Sequence, residues 1–525
     1  RRMKGAAGLL TALLLAFQLS AQTFALANED NGIKVVPVNF THNGYSYEIE
    51  GVAKSTDGDY QIKSPARLAA RKLPSTYDPR SSGEITTVKD QASTGACWAF
   101  SALACAEQDL IKKGLENPSA EFSVPALVLS SNSGTATGKD DFSSGGNWLF
   151  AASALANGQG LCYEDYEPFL ESGTENMIVS ENKKSVSEYR LNYVMELSST
   201  TQVKRKIMEL GAVSASYFAG NGYMNHNNTA YYDPDASKNT IINHSVTVVG
   251  WDDNYSKDNF RYKPANNGAW LVKGSWGADQ DNDGFYWVSY DEAEFGQFCC
   301  YDFEESCDNT YHYSKMTGYV VNASNDGSVY GANVFTAKAD EKLDKAGFMY
   351  VGKTGSADYT LSVYTNVSDS DPIGVLETQI SGSVSANGFY TVDFPEDILL
   401  EEGEKYSISV KFSGDSGRGY LLAESDRTSK VQSGQSYVSL NGKYWSDVGA
   451  DKTDSIGSLF IYAYTDDTAK PDKSSLETTL AKYGTLAGCE REANNARTVL
   501  ADETASKNDI SNAQKLLISA AEEQD

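Results

Sequence analysis

Cys97 is the residue of this 525-residue chain whose surroundings most favour nucleophilic chemistry. It follows Gly95 and a small residue, which permit a tight turn, and it precedes a stretch, 98–113, that contains no Gly or Pro. The Ala, Leu and Glu/Gln content of this stretch, ended by Gly114, predicts a helix that begins at Cys97. Because the free N–H groups and the dipole of a helix N-terminus lower the pKa of a thiol, we expect a reactive thiolate.

A thiolate nucleophile needs a proton partner, and the chain has only four histidines. His244 differs from the others because it opens a Val-rich run bounded by Gly250, which predicts a buried strand. A histidine at the rigid end of a strand can be aimed at a neighbouring group. A core histidine that is hydrogen-bonded to the backbone fits the same pattern and stays an alternative.

The combination of Cys97 in a turn before a helix, Gln91 six residues earlier and His244 in a run that ends in Gly-Trp resembles the papain family of cysteine proteases. Several other segments follow in the family's order, so that the resemblance covers roughly Leu73 to Tyr301. These segments are the opening 73–80, the Gly-Gly loop 144–147, the segment 211–214, the Ser-Trp-Gly segment 270–277 and the strand 284–289.

The resemblance implies a role for each of the three chemical residues. Cys97 would be the nucleophile, His244 its proton partner, and Gln91 a side-chain donor to the oxyanion beside the Cys97 backbone N–H. An ordinary surface glutamine is the alternative for Gln91. The implied chemistry is peptide hydrolysis by a thiolate and imidazolium pair.

The same resemblance implies a set of substrate-contacting residues. Gly145 and Gly146 would expose backbone to an extended substrate, and Trp276 would shield the catalytic pair from water. Trp148 and Asn243 flank the Gly-Gly loop and His244, so we expect them to border the pocket that reads the substrate side chain. Simple loop glycines and a core tryptophan are the alternatives.

Two departures from the family pattern stand out. Thr94 and Ser143 occupy the positions of one family disulfide, so that bridge is absent. More importantly, Gly274 stands where the family places the Asn that orients the histidine ring. We therefore expect residual or moderately reduced catalysis, and a binding protein that has lost turnover is the competing class.

Composition bounds the location and the partners of the chain. A formal net charge of -27 at pH 7 argues against nucleic acid binding. Basic residues before the apolar run 8–17, followed by the small-residue triplet 25–27, predict a signal peptide over 1–27 and secretion, without a membrane span after cleavage. We expect residues 28–72 to be a loop-like pro-segment or N-terminal arm. Seven cysteines are an odd number, so at least one is unpaired within the chain.

Three folded parts are predicted after that segment. Residues 73–311 form the papain-like α+β domain in two lobes. Short alternating runs between Gly, Asp and Asn turns over 312–468 predict an all-β sandwich, which is similar to the lectin-like domain of secreted Gram-positive surface proteases. Apolar positions spaced by three and four over 469–525 predict three amphipathic helices that resemble the FIVAR module.

No cofactor or metal is predicted. The run Asp279–Gly284 resembles the start of an EF-hand calcium loop, but the twelfth position is Tyr290 instead of the bidentate Glu.

The predicted function is a secreted papain-like cysteine endopeptidase that acts on protein or peptide. A cell-surface glycan or wall polymer is a further partner to consider. A surface adhesin with an impaired papain-like domain and an amidase that acts on wall peptides remain the alternatives.

Overall fold

The fold is described from a computed structural model of the chain. Side chains are described for 72–131, 142, 145–158, 161–165, 169, 188–220, 222–236, 242–278, 283–314, 327–368, 370–415, 417–424, 431–450, 457–469, 471–502, 505–507 and 509–522. For 34–36, 38–42, 45–49, 166, 281–282, 319–323 and 508, only the backbone is described.

Seven α-helices lie in these ranges. They are α1 (Cys97–Lys113), α2 (Val124–Ser131), α3 (Trp148–Ala156), α4 (Thr200–Leu210), α5 (Ser474–Tyr483), α6 (Glu490–Ala501) and α7 (Lys507–Glu522). The first confirms the predicted helix and ends as expected, because Gly114 adopts the left-handed conformation (φ 72°) and its N–H returns to the last turn. Asn147 begins α3 by accepting hydrogen bonds from the N–H groups of Leu149 and Phe150.

The strands in the N-terminal and protease parts are β1 (Lys34–Val36), β2 (Val38–His42), β3 (Tyr45–Ile49), β4 (Thr76–Tyr77), β5 (Tyr189–Leu197), β6 (Val213–Tyr217), β7 (Ala230–Tyr231), β8 (His244–Asp252), β9 (Ala269–Lys273), β10 (Phe285–Ser289) and β11 (Gly296–Glu305). Those that follow are β12 (Asn309–Tyr311), β13 (Tyr319–Ala323), β14 (Ser328–Thr336), β15 (Glu341–Tyr350), β16 (Ala357–Thr365), β17 (Val375–Val384), β18 (Gly388–Leu400), β19 (Lys405–Ser413), β20 (Tyr420–Glu424), β21 (Ser436–Ser439), β22 (Ser446–Asp447) and β23 (Ile461–Asp467).

The protease part pairs helix α1 with a sheet that runs in the order β5-β11-β6-β8-β9-β10-β7. Fourteen consecutive residues of α1, Cys97–Leu110, are buried. The hydroxyl of Ser101 donates to the backbone carbonyl of Val246 on β8 at 2.7 Å, inside the core. This contact fixes the start of α1 against the first residues of β8, where His244 lies.

The β-rich part forms a sandwich, as predicted. One sheet has the order β17-β16-β19-β14-β21-β22, and the other contains β12-β23-β15-β18. This second sheet continues into the protease sheet, because Gly388 and Phe389 of β18 pair with Met195 and Val194 of β5. At Gly388 a Cβ would lie 2.1 Å from the Val194 carbonyl oxygen, so only glycine permits this approach.

The C-terminal part forms the three helices that the spacing of its apolar residues predicts. They enclose a small apolar core of their own, made of Leu476, Cys489, Ala493, Ala496, Ile510, Ala513, Leu517 and Ala521. The bundle is attached to the rest of the chain by polar contacts. The Lys507 ammonium lies 2.8 Å from the Asp467 carboxylate, and the Lys507 N–H donates to Asp308 at 2.9 Å.

The N-terminal segment differs from the expectation of a loop-like arm. Its backbone forms β1, β2 and β3, and β1 pairs with β13. The Val, Tyr and Phe content of these stretches suits strands, which explains the difference. The predicted signal peptide lies outside the described residues, as do 50–71. Among the helices that the structure does describe, none combines the length and apolar character that a bilayer crossing requires. No disulfide joins any of the seven cysteines, all of which lie in the described residues.

Glu196 on β5 is a buried carboxyl where the two sheets join. It accepts a hydrogen bond from the indole N–H of Trp148 at 3.1 Å and another from the Asn387 side-chain amide at 3.1 Å. Burial raises the pKa of Glu196 to about 7, and these two neutral donors offset the rise only in part. The carboxyl thus joins α3, β5 and the turn before β18.

We predict that Glu196 makes folding stability depend on pH. The ordinary value for Glu is 4.5, so the group contributes its full stability below pH 4.5 and loses it as the pH rises through 7. The loss amounts to about 3 kcal/mol at most. In Glu196→Gln, the free energy of unfolding in urea should fall less between pH 5 and pH 8 than in the wild type.

The matched control is Glu401→Gln, which replaces an exposed carboxylate on the turn after β18. It should keep the pH dependence of the wild type. An unchanged pH dependence in Glu196→Gln would contradict the assignment of a raised pKa to this buried carboxyl.

Candidate active site

Cys97 occupies the first position of α1 and is 4% exposed. The N–H and hydroxyl of Ser245 and the N–H of Trp98 are close enough to its sulfur to favour the thiolate. Burial raises the pKa of the Cys97 thiol above its ordinary value. The nearby N–H and O–H donors lower the pKa by less than burial raises it. The expectation of a lowered pKa was therefore wrong for this structure, because the desolvation of a buried anion exceeds the effect of the helix N-terminus.

His244 is the first residue of β8, and it lies at the end of this strand that packs on the start of α1, where the Ser101 hydroxyl donates to the Val246 carbonyl. The Trp276 indole stacks on the imidazole at 4.3 Å between centroids and 9° between planes. Burial lowers the pKa of His244 to about 3. Among the described residues, Nε2 of this buried ring has no hydrogen-bond partner. A neutral imidazole next to a neutral thiol is therefore the favoured resting state of the pair.

Gly274 follows β9 and provides no side chain to the histidine. Its N–H donates to the Gly284 carbonyl at 3.1 Å. A Cβ at this position would lie 3.1 Å from the same carbonyl oxygen and 3.3 Å from Cε1 of Tyr286. The Gly284 carbonyl and the Tyr286 ring thus closely bound the space that an asparagine would enter. Without such a side chain, Nε2 of His244 has no amide partner, which agrees with its lack of a hydrogen bond among the described residues.

Gln91 is anchored on both sides of its amide. The Ser275 hydroxyl donates to Oε1 of Gln91 at 2.6 Å, and Nε2 of Gln91 donates to the Thr94 carbonyl at 2.8 Å. The Gln91 backbone N–H also donates to the Ser275 carbonyl at 2.8 Å. An amide nitrogen carries two hydrogens, so the bond to Thr94 leaves one for a substrate oxygen in the turn that leads to Cys97.

The Gly-Gly loop packs on Trp98, the residue that follows Cys97. At Gly146 a Cβ would lie 2.4 Å from Cε2 of Trp98, so this backbone packs directly on the indole ring. Gly145 has φ +73°, and the direction of its absent Cβ is open. The loop therefore presents bare backbone beside the helix N-terminus that carries Cys97.

The other three residues predicted to contact the substrate differ in their exposure to solvent. Trp276 is 37% exposed and covers the His244 ring from solvent. Asn243 is exposed, and its side-chain oxygen accepts from the Ala219 N–H at 2.7 Å. Trp148 is 4% exposed and its N–H is bonded to Glu196 in the interior, so we do not carry it forward as a substrate-contacting residue.

Sequence reasoning missed four side chains of this site. Ser245 and Ser275 are direct chain neighbours of predicted residues, and their adjacency was the available signal. Tyr217 is the cross-strand register partner of His244, and Tyr286 lies on β10 beside Gly274. Spacing along the chain carries no signal for either tyrosine, because β-sheet pairing brings them to the histidine.

We predict that Cys97 is alkylated slowly at neutral pH and faster as the pH rises. A buried thiol with a raised pKa beside a histidine with a lowered pKa forms little thiolate in the acid and neutral range. The rate of iodoacetamide reaction at Cys97, followed by mass spectrometry of the peptide, should increase continuously into alkaline pH. A rate that is already at its plateau at pH 5 would show a thiolate–imidazolium pair and contradict the prediction.

Comparison with known families and structures agrees with this geometry. Residues 73–325 match the model of the papain family cysteine protease, and residues 310–465 match that of the lectin-like domain. Over 216 residues the chain is 24% identical to cathepsin K of Mus musculus, and over 224 residues it is 26% identical to cathepsin L2 of Homo sapiens. These matches span 41% and 42% of this chain and 59% and 62% of the cathepsins, which is less than two thirds of each relative.

Two solved structures of one bacterial protein match over a larger part of the chain. One is the clostridial cysteine protease Cwp84 after propeptide cleavage, with 27% identity, a TM-score of 0.65 and coverage of 75% of this chain and 99% of that one. The other contains the cysteine protease and lectin-like domains of Cwp84, a surface layer associated protein of Clostridium difficile, with 27% identity, a TM-score of 0.67 and coverage of 82% and 93%. Residues 73–325 therefore form a papain family cysteine protease domain, and a lectin-like domain follows it over residues 310–465.

Proposed function

We propose that this protein is a secreted cysteine endopeptidase that cleaves peptide bonds with Cys97 and His244. The observation that carries the proposal is the packing of the start of α1, which Cys97 opens, on the first residues of β8, which His244 opens. Gln91, anchored by Ser275, supplies an amide donor in the turn before the thiol. This set contains the groups that acyl transfer to a thiol requires.

The first step is acylation of the sulfur. Because the resting pair is neutral, His244 takes the Cys97 proton as the sulfur attacks the peptide carbonyl carbon. The carbonyl oxygen becomes an oxyanion, which the Cys97 backbone N–H and the free N–H of the Gln91 amide stabilise. The N–H groups of a first helical turn have no acceptor within the helix, so the Cys97 donor is available.

The second step releases the two parts of the substrate. The imidazolium of His244 donates its proton to the leaving amine, and the C–N bond breaks to leave a thioester on Cys97. Water then attacks this thioester while His244 accepts a proton, and the second product leaves with the thiol restored. Trp276, which stacks on the imidazole, limits the access of bulk water to the ring.

The substrate is an extended peptide that pairs with the exposed backbone at Gly145. Bare backbone beside the nucleophile suits main-chain hydrogen bonding to a strand-like ligand. Asn243, the exposed residue before His244, would contact the substrate on the side of the histidine. The lectin-like domain offers a second binding function, toward a glycan or wall polymer.

We further propose export and surface association. The basic start of the chain, the apolar run 8–17 and the small-residue triplet 25–27 support export. Cwp84 is described as a surface layer associated protein, which supports a similar location for this chain.

A surface-binding protein with an impaired catalytic domain is the second candidate. The observation that favours it is the Nε2 of His244, which has no hydrogen-bond partner among the described residues, while Gly274 offers no side chain to it. Without an acceptor on that nitrogen, the imidazolium formed in the first step is less stabilised. The two candidates differ in turnover, which a direct assay measures.

We predict that turnover of fluorogenic peptides under reducing conditions depends on Cys97 and Gln91. Cys97→Ala should abolish it, and Gln91→Ala should lower kcat by about 10²–10³, because one oxyanion donor is lost. The control Gln379→Ala changes an exposed glutamine of β17, and its kcat should equal that of the wild type.

The outcomes separate the candidates. Turnover that survives in Cys97→Ala would overturn the assignment of the nucleophile. A wild-type protein that cleaves none of a broad peptide set, with Cys97 shown to be reduced, would favour the binding protein.

A further inference from the structure

His244 is enclosed by aromatic rings. Trp276 covers one face, and Tyr217 contacts the ring in a T-shaped arrangement at 5.9 Å and 66°. Tyr217 is also the register partner of His244 across β6 and β8, and its carbonyl accepts the N–H of Asn243 at 3.2 Å. The imidazole is thus held by ring contacts, whereas its Nε2 makes no hydrogen bond within the described part of the chain.

Tyr286 completes this enclosure next to Gly274. Its hydroxyl is 2.8 Å from the Tyr217 hydroxyl, and its ring lies nearly parallel to Trp276, at 6.4 Å and 12°. Cε1 of Tyr286 is 3.3 Å from the position of a Cβ at Gly274. The tyrosine ring therefore lies against the position that a side chain at residue 274 would take, and it would have to shift by a few tenths of an ångström to admit one.

We propose that the hydrogen-bonded pair of Tyr217 and Tyr286 is a positioning element for His244, in place of the side chain that is absent at Gly274. The proposal rests on the endopeptidase function above, because positioning is useful only if His244 transfers protons. The hydroxyl bond of the pair joins β6 to β10 across the site. Tyr286 also stacks with Trp276, so the pair fixes the two rings, Tyr217 and Trp276, that contact the imidazole. Neither tyrosine touches the substrate in this account.

The hydrogen count of the pair adds a second feature. Two hydroxyls carry two hydrogens, and their mutual bond uses one. Both side chains are almost fully buried, with 1% exposure for Tyr217 and 3% for Tyr286. Burial raises the pKa of Tyr286, and the charge of an ionised Cys97 raises it further. Both phenols therefore stay neutral, which suits a positioning role.

The test compares single hydroxyl deletions in the full-length protein. Tyr217→Phe and Tyr286→Phe keep both rings and remove the bond between them. We expect kcat to fall about fivefold in either variant, with KM unchanged, because one hydrogen bond that holds the proton carrier is lost. The matched control Tyr290→Phe removes a hydroxyl that donates to Asp253 at 2.8 Å, outside this enclosure, and should leave kcat unchanged.

A second readout does not depend on turnover. The chain has four histidines, so their ring ¹⁵N and ¹³C signals can be resolved by NMR, with His244→Ala to assign the signal. Tyr217→Phe and Tyr286→Phe should shift the His244 signals and their pH titration, and Tyr290→Phe should not. If these signals stay unchanged in both Phe variants, the positioning role is overturned even where peptides are cleaved. If they move in a protein that cleaves no peptide, the positioning contact stands and the endopeptidase function fails.

Gly274 provides an independent prediction. Gly274→Asn brings a Cβ to 3.1 Å from a backbone oxygen and 3.3 Å from Tyr286, so the amide cannot enter freely while the tyrosine is present. We expect Gly274→Asn to raise kcat more in the Tyr286→Ala background than in the wild type. An equal rise in both backgrounds would show that the ring and the missing side chain do not share the space, and would overturn that part of the proposal.

Discussion

The packing of α1 on the β8–β9 region is the constraint on which the rest of the site depends. The bond from Ser101 to the Val246 carbonyl sets the distance between the helix and β8. Further along the helix, Glu107 accepts from Thr86 at 2.6 Å, and Thr86 accepts from the Lys273 ammonium at 2.6 Å. These buried polar contacts have satisfied partners, so they specify one register of the helix on the sheet. In that register the first residue of α1 meets the first residues of β8.

This depth of burial has a chemical consequence. Removing the thiol and the imidazole from water favours the neutral form of each, so the pair rests uncharged and charge develops only with the substrate bound. The oxyanion donors then act in a site with little competing water, where such donors are most effective. The aromatic rings around His244 exclude water and limit its rotation, and Gly274 leaves the ring without an amide partner. The same architecture therefore supports the reaction and restricts its rate.

The sequence predicted the local elements well. The helix from Cys97 was evident because Gly114 ends it, and the Val-rich run from His244 became β8. Other features depend on residues that are far apart in the chain. The pairing of Gly388 with Met195, which joins the two sheets, has no local signal. Likewise, the position of Tyr286 beside Gly274 follows from sheet register, and the pKa of Cys97 follows from burial, which local spacing does not contain.

The most direct test of the central claim is mass spectrometry of the protein quenched during the hydrolysis of an activated peptide ester. The account predicts a thioester adduct on the peptide that contains Cys97, formed in wild type and in Gln379→Ala, and absent from Cys97→Ala. An adduct on another residue, or ester hydrolysis that proceeds at the wild-type rate without Cys97, would contradict the claim that this buried thiol and His244 carry the reaction.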